Sequence, residues 1–328
     1  MGQPREYLRL PPGPPKPLHE EARVLCISGG GYRGLFAARL ISLIETHELG
    51  GNGIAARFNL ISGTSIGGII ATAISCGVSG QKITDALKKS GLLIFPPRTW
   101  HNVRRLAGSA PYDPKRLTEC ILELMPEAGK IKLADHAPPL LLTTVNFNTS
   151  KLQLLGSKTT RVRDLTGMTL MDAMLATSAA PTYFPPHEHE KSIYVDGGVA
   201  ANAPDLLALR AIEQMVPRSR SLMLSLGTAN PSYGLAPSSK PLRGIGWAKI
   251  TIELSMHLQE QLAVDECTRL LGTDRYLRLN KTPSPNEQPH LGLDIASAES
   301  TSVLTSLADN CFQSLTSEQR QTLAAILG

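Results

Sequence analysis

The sequence of 328 residues is poor in several features that mark specialised classes of protein. Aromatic residues make up only 5% of the chain, and no apolar run approaches the roughly twenty residues that a bilayer-spanning helix needs. The N-terminus lacks the basic and then apolar pattern of a secretory signal. We therefore expect a cytoplasmic protein, and any contact that it makes with a membrane should be peripheral.

Cysteine and clustered charge are also scarce. The five cysteines are odd in number and far apart, which argues against a disulfide framework or a zinc site: Cys26, Cys76, Cys120, Cys267 and Cys311. The formal net charge of +5 is not gathered into a Lys/Arg run, so neither DNA nor RNA is an expected partner. The hydrophobic content of 42% is enough for a well-buried core without disulfides or a structural zinc ion.

The chain divides into a short lead-in and one long domain. Residues 1–20 are rich in proline and predict an extended segment, whereas no repeat or linker interrupts residues 21–328. Apolar strands alternate with amphipathic helices, the strongest motifs fall within 24–228, and residues 247–328 read as mostly helical. This pattern predicts an α/β fold with a mainly parallel central sheet between layers of helices.

One segment suggests nucleophilic catalysis. A short apolar strand ends in Gly63-Thr64-Ser65-Ile66-Gly67 and continues as an apolar helix, the pattern of a nucleophile elbow. The glycines Gly63 and Gly67 would let the strand and the helix approach, and the helix N-terminus would favour an oxyanion near Ser65. A plain glycine-rich connection between a strand and a helix explains these five residues equally well.

A second glycine-rich turn, Gly29-Gly30-Gly31-Tyr32-Arg33-Gly34, follows the first predicted strand. It matches the dinucleotide-binding pattern G-x-G-x-x-G, but the next strand does not end in the acidic residue that would hold a ribose. The three glycines suit an anion cradle of backbone N–H groups better, with Arg33 strengthening it. Neighbouring parallel strands would place this cradle beside Ser65.

The third element is Asp196-Gly197-Gly198, which follows the short strand 193–195. A carboxylate at a strand end, with Gly197 and Gly198 allowing close approach, suits a general base. An ordinary Asp-Gly turn is the alternative.

Together these three blocks resemble the patatin-like phospholipase family, and the blocks around Ala176-Thr177-Ser178-Ala179-Ala180-Pro181 and Asn202-Ala203-Pro204 support the resemblance. It covers roughly residues 24–228. The resemblance implies a three-layer sandwich, a Ser65–Asp196 dyad, and an oxyanion hole formed by the loop from Gly29 to Gly31 with Arg33. It implies a phospholipase that needs no metal or other cofactor. Ser28 occupies the position where many members carry aspartate, which leaves the positioning of the loop to be examined.

The amino-acid sequences of residues 28–34 and 179–185 are most similar to those of bacterial patatin-like effectors of cyclic-oligonucleotide antiphage signalling. That resemblance implies a cyclic di- or trinucleotide activator and membrane phospholipid as the substrate at the inner membrane surface. A homo-oligomer is compatible with it.

Three other functions compete with this interpretation. A serine esterase with a Ser-His-Asp triad would draw on His257 or His290. A non-catalytic protein could use the glycine cradle only to hold an anion, and an NAD-dependent enzyme is the weakest alternative.

Two further segments carry weaker predictions. Residues 94–111 could be a lid but are more typical of a surface loop, and His187-Glu188-His189-Glu190 is interpreted as a solvated loop. The latter lacks the helical i, i+4 histidine pair of a metal motif.

Overall fold

The computed structural model describes residues 21–96, 110–161, 167–231 and 245–328, with the backbone alone for 245–249. The predicted lead-in, 1–20, and most of the predicted lid, 97–109, lie outside the described residues.

The strands and helices alternate along the chain, as the sequence predicts. The strands are β1 Glu21–Ile27, β2 Leu60–Thr64, β3 Leu140–Asn146, β4 Lys151–Gly156, β5 His187–His189, β6 Ser192–Asp196, β7 Arg220–Leu226 and β8 Tyr276–Leu279. The α-helices are α1 Gly34–His47, α2 Ile66–Ser75, α3 Gly80–Ile94, α4 Pro114–Leu124, α5 Leu170–Ser178, α6 Gly198–Ala201, α7 Asp205–Met215, α8 Ile245–Leu271, α9 Ala298–Gln313 and α10 Ser317–Leu327.

The strands form one sheet in the order β5-β6-β3-β2-β1-β7-β8, with β4 also paired to β3. Strands β3, β2, β1, β7 and β8 run parallel to one another, whereas β4 and β6 pair antiparallel with β3, and β5 pairs antiparallel with β6. The prediction of an α/β fold with a mainly parallel sheet is confirmed.

Helices cover both faces of this sheet. In β1, Leu25 and Ile27 belong to a large apolar cluster on one face, and Val24 and Cys26 belong to a second cluster on the other. Side chains of a strand alternate between its two faces, so a strand that is apolar on both sides must be covered twice. The three-layer arrangement follows from this pattern.

Strands β2 and β6 share one edge of β3. The pairing of β3 with β2 ends at Thr64 opposite Thr143, and its pairing with β6 begins with Asp196 opposite Thr144. Strand β4 pairs with β3 from Leu141 onward and occupies the other edge. Because β2 runs parallel to β3 and β6 runs antiparallel to it, the ends of β2 and β6 meet.

The prediction of a loop at 187–190 is wrong in part. His187–His189 form the short edge strand β5, which pairs antiparallel with β6. A polar strand of three residues at a sheet edge carries no periodic apolar signal, so sequence patterning cannot detect it.

No helix within the described part of the chain is both long enough and apolar enough to span a membrane.

Candidate active site

Ser65 lies on a strained turn between β2 and α2. Its φ of 56° and ψ of −129° are unusual for a residue with a side chain, and it is 8% exposed. A Cβ added at Gly63 would lie 2.2 Å from the carbonyl oxygen of Gly67, and one added at Gly67 would lie 2.3 Å from that of Ile27. The two glycines are therefore needed for the close packing of strand and helix around Ser65.

A threonine on α5 holds the backbone of the turn. The Ser65 N–H donates to Oγ1 of Thr177 over 3.0 Å, and that hydroxyl donates to the carbonyl oxygen of Thr143 over 2.6 Å. Thr177 thus ties the strained residue to β3. Its role was not predicted, although it belongs to a block that supports the family resemblance.

Ser65 and Asp196 are in direct contact. The Ser65 Oγ donates to Oδ2 of Asp196 over 2.5 Å, and Oδ1 of the same carboxyl accepts from the Gly198 N–H over 2.7 Å. Asp196 is 2% exposed, and its burial raises the pKa of the carboxyl from 3.8 to about 6, although its hydrogen bonds with Ser65 and Gly198 oppose this shift. The sequence prediction that the two side chains meet agrees with this geometry.

Of the two glycines after Asp196, Gly197 is required by a close contact with the backbone of the sheet, whereas Gly198 faces the flexible end of a methionine on α8. A Cβ added at Gly197 would lie 2.4 Å from the carbonyl oxygen of Thr143, and one at Gly198 would lie 2.8 Å from Cε of Met256. The backbone can therefore turn sharply after β6 and direct the Gly198 N–H to the carboxylate.

The glycine loop after β1 lies next to Ser65, but its three N–H groups are not equivalent. Gly29 donates to the carbonyl oxygen of Asn202 over 3.0 Å. No hydrogen bond from the Gly30 or Gly31 N–H is found within the described residues, and both glycines line the cavity with Ser65. Gly31 has a φ of +55°, and a Cβ there would lie 2.1 Å from the Leu293 carbonyl oxygen.

Arg33 follows this loop at the end of the 3-10 helix Gly31–Arg33. It is 3% exposed and lines a small polar cavity with Asn202, Asn230 and Glu253. This cavity shares Met256 and Leu293 with the cavity of Ser65. Gly30 and Gly31 therefore line the cavity of Ser65, whereas Arg33 lines the polar cavity next to it.

The glycine loop is anchored by a buried carboxylate that the sequence did not reveal. Glu260 on α8 accepts from Asn202, Asn230 and Arg278 over 2.7, 2.8 and 2.5 Å respectively. The Asn202 amide in turn donates to the carbonyl oxygen of Gly29 over 3.3 Å. Glu260 therefore connects α8 to the loop that follows β1.

Arg278 connects the same carboxylate to Ser28. Its Nη1 donates to the Ser28 Oγ over 3.0 Å and to the Ser225 Oγ over 2.7 Å. The Arg278 and Glu260 side chains are only 12% and 5% exposed. Ser28 thus has a defined place in the anchoring network although the resemblance leads one to expect an aspartate there.

The cavity around Ser65 has a mostly apolar wall. Its lining includes Phe95, Phe184, Ile252, Met256 and Leu293. Tyr183, another lining residue, donates to Glu253 over 2.8 Å, and burial raises the pKa of its phenol. An apolar cavity lined by a serine hydroxyl suits an acyl chain whose ester group lies at that hydroxyl.

Neither histidine of the alternative triad lines this cavity. His257 lies on α8 and faces the polar cavity beside Arg33, and His290 lies in the 3-10 turn Gln288–His290. The described residues contain one group of side chains with metal-ligand spacing, Asp172, His187 and His189, and none of the three lines the cavity either.

An α/β fold together with a match to a lipid-hydrolase family defines the class of this protein, a lipid acyl hydrolase. The family model described as patatin-like phospholipase matches residues 25–209, more than half of the chain. The chain belongs to the patatin-like phospholipase family, as the sequence blocks predicted, and it is a phospholipase.

Several relatives share most of the chain. A protein of Vibrio cholerae named "cGAMP-activated phospholipase" is 32% identical over 90% of this chain and 92% of its own length. A protein of Escherichia coli with the same name is 31% identical over 91% of this chain and 88% of its own. Patatin-17 of Solanum cardiophyllum is 24% identical over 92% of this chain and 86% of its own.

The solved structures that this chain resembles are more distant in sequence. Human GIVD cytosolic phospholipase A2, in complex with methyl gamma-linolenyl fluorophosphonate, is 13% identical, with a TM-score of 0.43 over 94% of this chain and 59% of that chain. VipD from Legionella pneumophila is 14% identical, with a TM-score of 0.40 over 90% of this chain and 68% of that chain.

Proposed function

We propose that this protein hydrolyses the carboxylic esters of membrane phospholipids with Ser65 as nucleophile and Asp196 as its base. The single observation that carries the proposal is the 2.5 Å hydrogen bond from Ser65 to a buried carboxylate at the end of an apolar cavity. A hydroxyl already bonded to the group that will accept its proton loses little entropy in reaching the transition state.

In the first step, the Ser65 Oγ attacks the ester carbonyl carbon while its proton passes to Oδ2 of Asp196. The raised pKa of Asp196, about 6, makes it a stronger base than an exposed carboxylate and still leaves it ionised at neutral pH. The N–H groups of Gly30 and Gly31 stabilise the oxyanion. The lysophospholipid alcohol then leaves with the proton from Asp196, and an acyl-Ser65 remains.

In the second step, water attacks the acyl carbon and gives a proton to Asp196. The tetrahedral intermediate collapses, Ser65 recovers its proton from Asp196, and the fatty acid is released. Apart from the substrate and water, the groups that take part in the two steps are side chains and backbone groups of the protein.

The proposal includes an activator, a cyclic di- or trinucleotide. Its support is the name that three relatives share, cGAMP-activated phospholipase; these relatives match 88 to 91% of this chain. Under this proposal the enzyme degrades phospholipid of the inner membrane surface during antiphage defence, and it acts from the cytoplasm through peripheral contact with the membrane.

The test measures release of free fatty acid from phospholipid vesicles by the wild type and by Ser65→Ala. Each protein is assayed alone, with cGAMP, and with a panel of other cyclic di- and trinucleotides. We expect nucleotide-dependent release by the wild type and none by Ser65→Ala. Asp196→Asn should be as inactive as Ser65→Ala, because its amide cannot accept the serine proton.

Each part of the proposal has its own contrary result. Full activity without any nucleotide would refute the activation and leave the hydrolase intact, whereas activity that survives Ser65→Ala would refute the dyad. His257→Ala and His290→Ala are matched controls, and loss of activity in either would favour a triad instead. If the wild type releases no fatty acid under any of these conditions, the result would favour a binding protein.

A further inference from the structure

Three side chains with metal-ligating atoms meet beside the β5–β6 hairpin. Asp172 lies in the first turn of α5, and His187 and His189 lie on β5. Because residues i and i+2 of a strand point to the same face, both imidazoles can face one carboxylate. One nitrogen from each imidazole and one carboxylate oxygen lie within 4.8 Å of one another.

The separations suit a shared ion better than direct hydrogen bonds. The His187 Nε2 lies 3.6 Å from Oδ1 of Asp172, and the His189 Nδ1 lies 3.7 Å from Oδ2. A hydrogen bond between nitrogen and oxygen spans about 2.7–3.2 Å. Two ligands at about 2.0–2.1 Å from a tetrahedral zinc ion are separated by about 3.4 Å. A small contraction of the group would therefore complete a coordination sphere.

An unsatisfied nitrogen supplies an independent reason. The Nε2 atom of His187 is buried, and within the described residues it has no hydrogen-bond partner. A buried polar atom without a partner is costly and needs an explanation. This atom faces Oδ1 of Asp172, the place where a bound cation would satisfy both groups.

The carboxylate is held in position by the helix cap. Oδ2 of Asp172 accepts from the N–H and the Oγ1 of Thr169 over 3.0 and 2.6 Å. The Asp172 N–H donates back to Oγ1 of Thr169 over 3.1 Å, which completes a capping box. Hydrogen bonds of this kind orient metal ligands and reduce the entropy lost on binding.

We propose that Asp172, His187 and His189 bind a divalent transition-metal ion, Zn²⁺ in particular, with water as the remaining ligand. Two imidazoles and one carboxylate favour such an ion over Ca²⁺ or Mg²⁺, which prefer oxygen ligands alone. The ion joins β5 to α5 and takes no part in ester hydrolysis, because none of its ligands lines the cavity of Ser65.

The position of the ion gives it a structural consequence. His187 pairs with Tyr194 of β6, the strand that ends in Asp196, and α5 carries the Thr177 that holds Ser65. A bond between β5 and α5 therefore stabilises the two elements that supply the serine and its base.

The test uses the full chain, produced without a polyhistidine tag and stripped with a chelator. Co²⁺ is titrated while the visible d–d absorption of tetrahedral cobalt is recorded, and Zn²⁺ binding is measured by calorimetry. We expect one equivalent per chain, and a rise in Tm of about 5 °C at a Zn²⁺ concentration 100 times the Kd.

Variants decide whether these residues form the site. His187→Gln and His189→Gln should each lose the cobalt spectrum and the Zn²⁺-dependent rise in Tm, whereas His290→Gln should keep both. Far-UV circular dichroism without metal verifies that the variants fold. If a histidine variant does not fold, Asp172→Asn takes its place, because its amide oxygen can still cap the helix. Failure of the stripped wild type to bind, or equal binding by wild type and the His187 and His189 variants, would overturn the proposal.

Discussion

Replacement of Glu260 by glutamine tests whether this carboxylate anchors the glycine loop. The carboxylate accepts three hydrogen bonds, and one comes from the buried guanidinium of Arg278. In Glu260→Gln, an NH₂ group replaces one accepting oxygen, and the Arg278 charge loses its neighbouring carboxylate. Loss of one partner of a buried ion pair costs about 3–5 kcal/mol, so we expect a decrease of that size in the free energy of unfolding.

A second substitution makes the prediction specific. Ser28→Asp places a carboxylate at the atom that already receives a hydrogen bond from Arg278. In the wild type it adds a further buried negative charge to those of Glu260 and Asp205, which already interact with Arg278, and should destabilise the protein. In Glu260→Gln the same substitution restores the charge balance around Arg278 and should stabilise it. The effect of Ser28→Asp on stability should therefore change sign between the two backgrounds.

The assay combines denaturant unfolding of the four proteins with kinetics on a soluble short-chain ester. Because Glu260 does not line the cavity and reaches the glycine loop through hydrogen-bonded neighbours such as Asn202 and Arg278, we expect Glu260→Gln to lower kcat about 10- to 100-fold and to leave KM nearly unchanged. Glu266→Gln is a matched control on the same helix, since its charge pairs with Arg269 at the surface. If Ser28→Asp changes the free energy of unfolding by the same amount in the two backgrounds, within about 0.5 kcal/mol, the shared network is refuted.

Three further substitutions examine the dyad and its supports. Asp196→Asn should abolish hydrolysis yet stabilise the protein by about 3 kcal/mol at neutral pH, because burial raises the pKa of the carboxyl from 3.8 to about 6 and ionisation in the folded state is costly. The wild type has its full proton-linked stability below pH 3.8 and loses it as the pH rises through about 6, so the Tm difference should grow from pH 4 to pH 7, and a difference independent of pH would contradict this origin. For the same reason, kcat/KM of the wild type should rise with a midpoint near pH 6, and a profile that is flat down to pH 4.5 would exclude Asp196 as the base. Gly31→Ala, with its φ of +55° and a Cβ 2.1 Å from the Leu293 carbonyl oxygen, should lower the labelling rate of Ser65 by a fluorophosphonate at least about 100-fold, and labelling at the wild-type rate would remove this loop from the oxyanion hole. Thr177→Val should cost about 1–3 kcal/mol because the Ser65 N–H loses its acceptor, Thr177→Ser should restore most of that stability in denaturant unfolding, and equal stability of the two variants would show that the hydroxyl is not needed.

The sequence predicted those parts of the site that depend on local chain geometry. Ser65 and Asp196 could be found because each is flanked by glycines at the end of an apolar strand, and the backbone there permits few other residues. The layer order followed from strands that are apolar on both faces, as in β1.

The supports of the site come from distant parts of the chain and give no local signal. Glu260 lies within a long helix whose other residues predict only a core stripe, and Arg278 lies in a short strand near the end of the chain. Their pairing depends on how α8 packs against β8, the strand that pairs with β7 at the edge of the sheet, and spacing along the sequence cannot reveal this. The expected contribution of Arg33 to the oxyanion hole stays a prediction: Arg33 lines a polar cavity that shares Met256 and Leu293 with the cavity of Ser65.

The arrangement of β2 and β6 along β3 explains why Ser65 and Asp196 meet. Two neighbouring parallel strands would end side by side, about 4.8 Å apart, and would present their side chains in the same direction. Here β2 and β6 run toward each other along one edge of β3, so the residue that follows Thr64 is brought against Asp196. Antiparallel pairing of β6 is therefore the part of the fold on which the 2.5 Å contact depends, and the strained turn at Ser65 directs the hydroxyl into it.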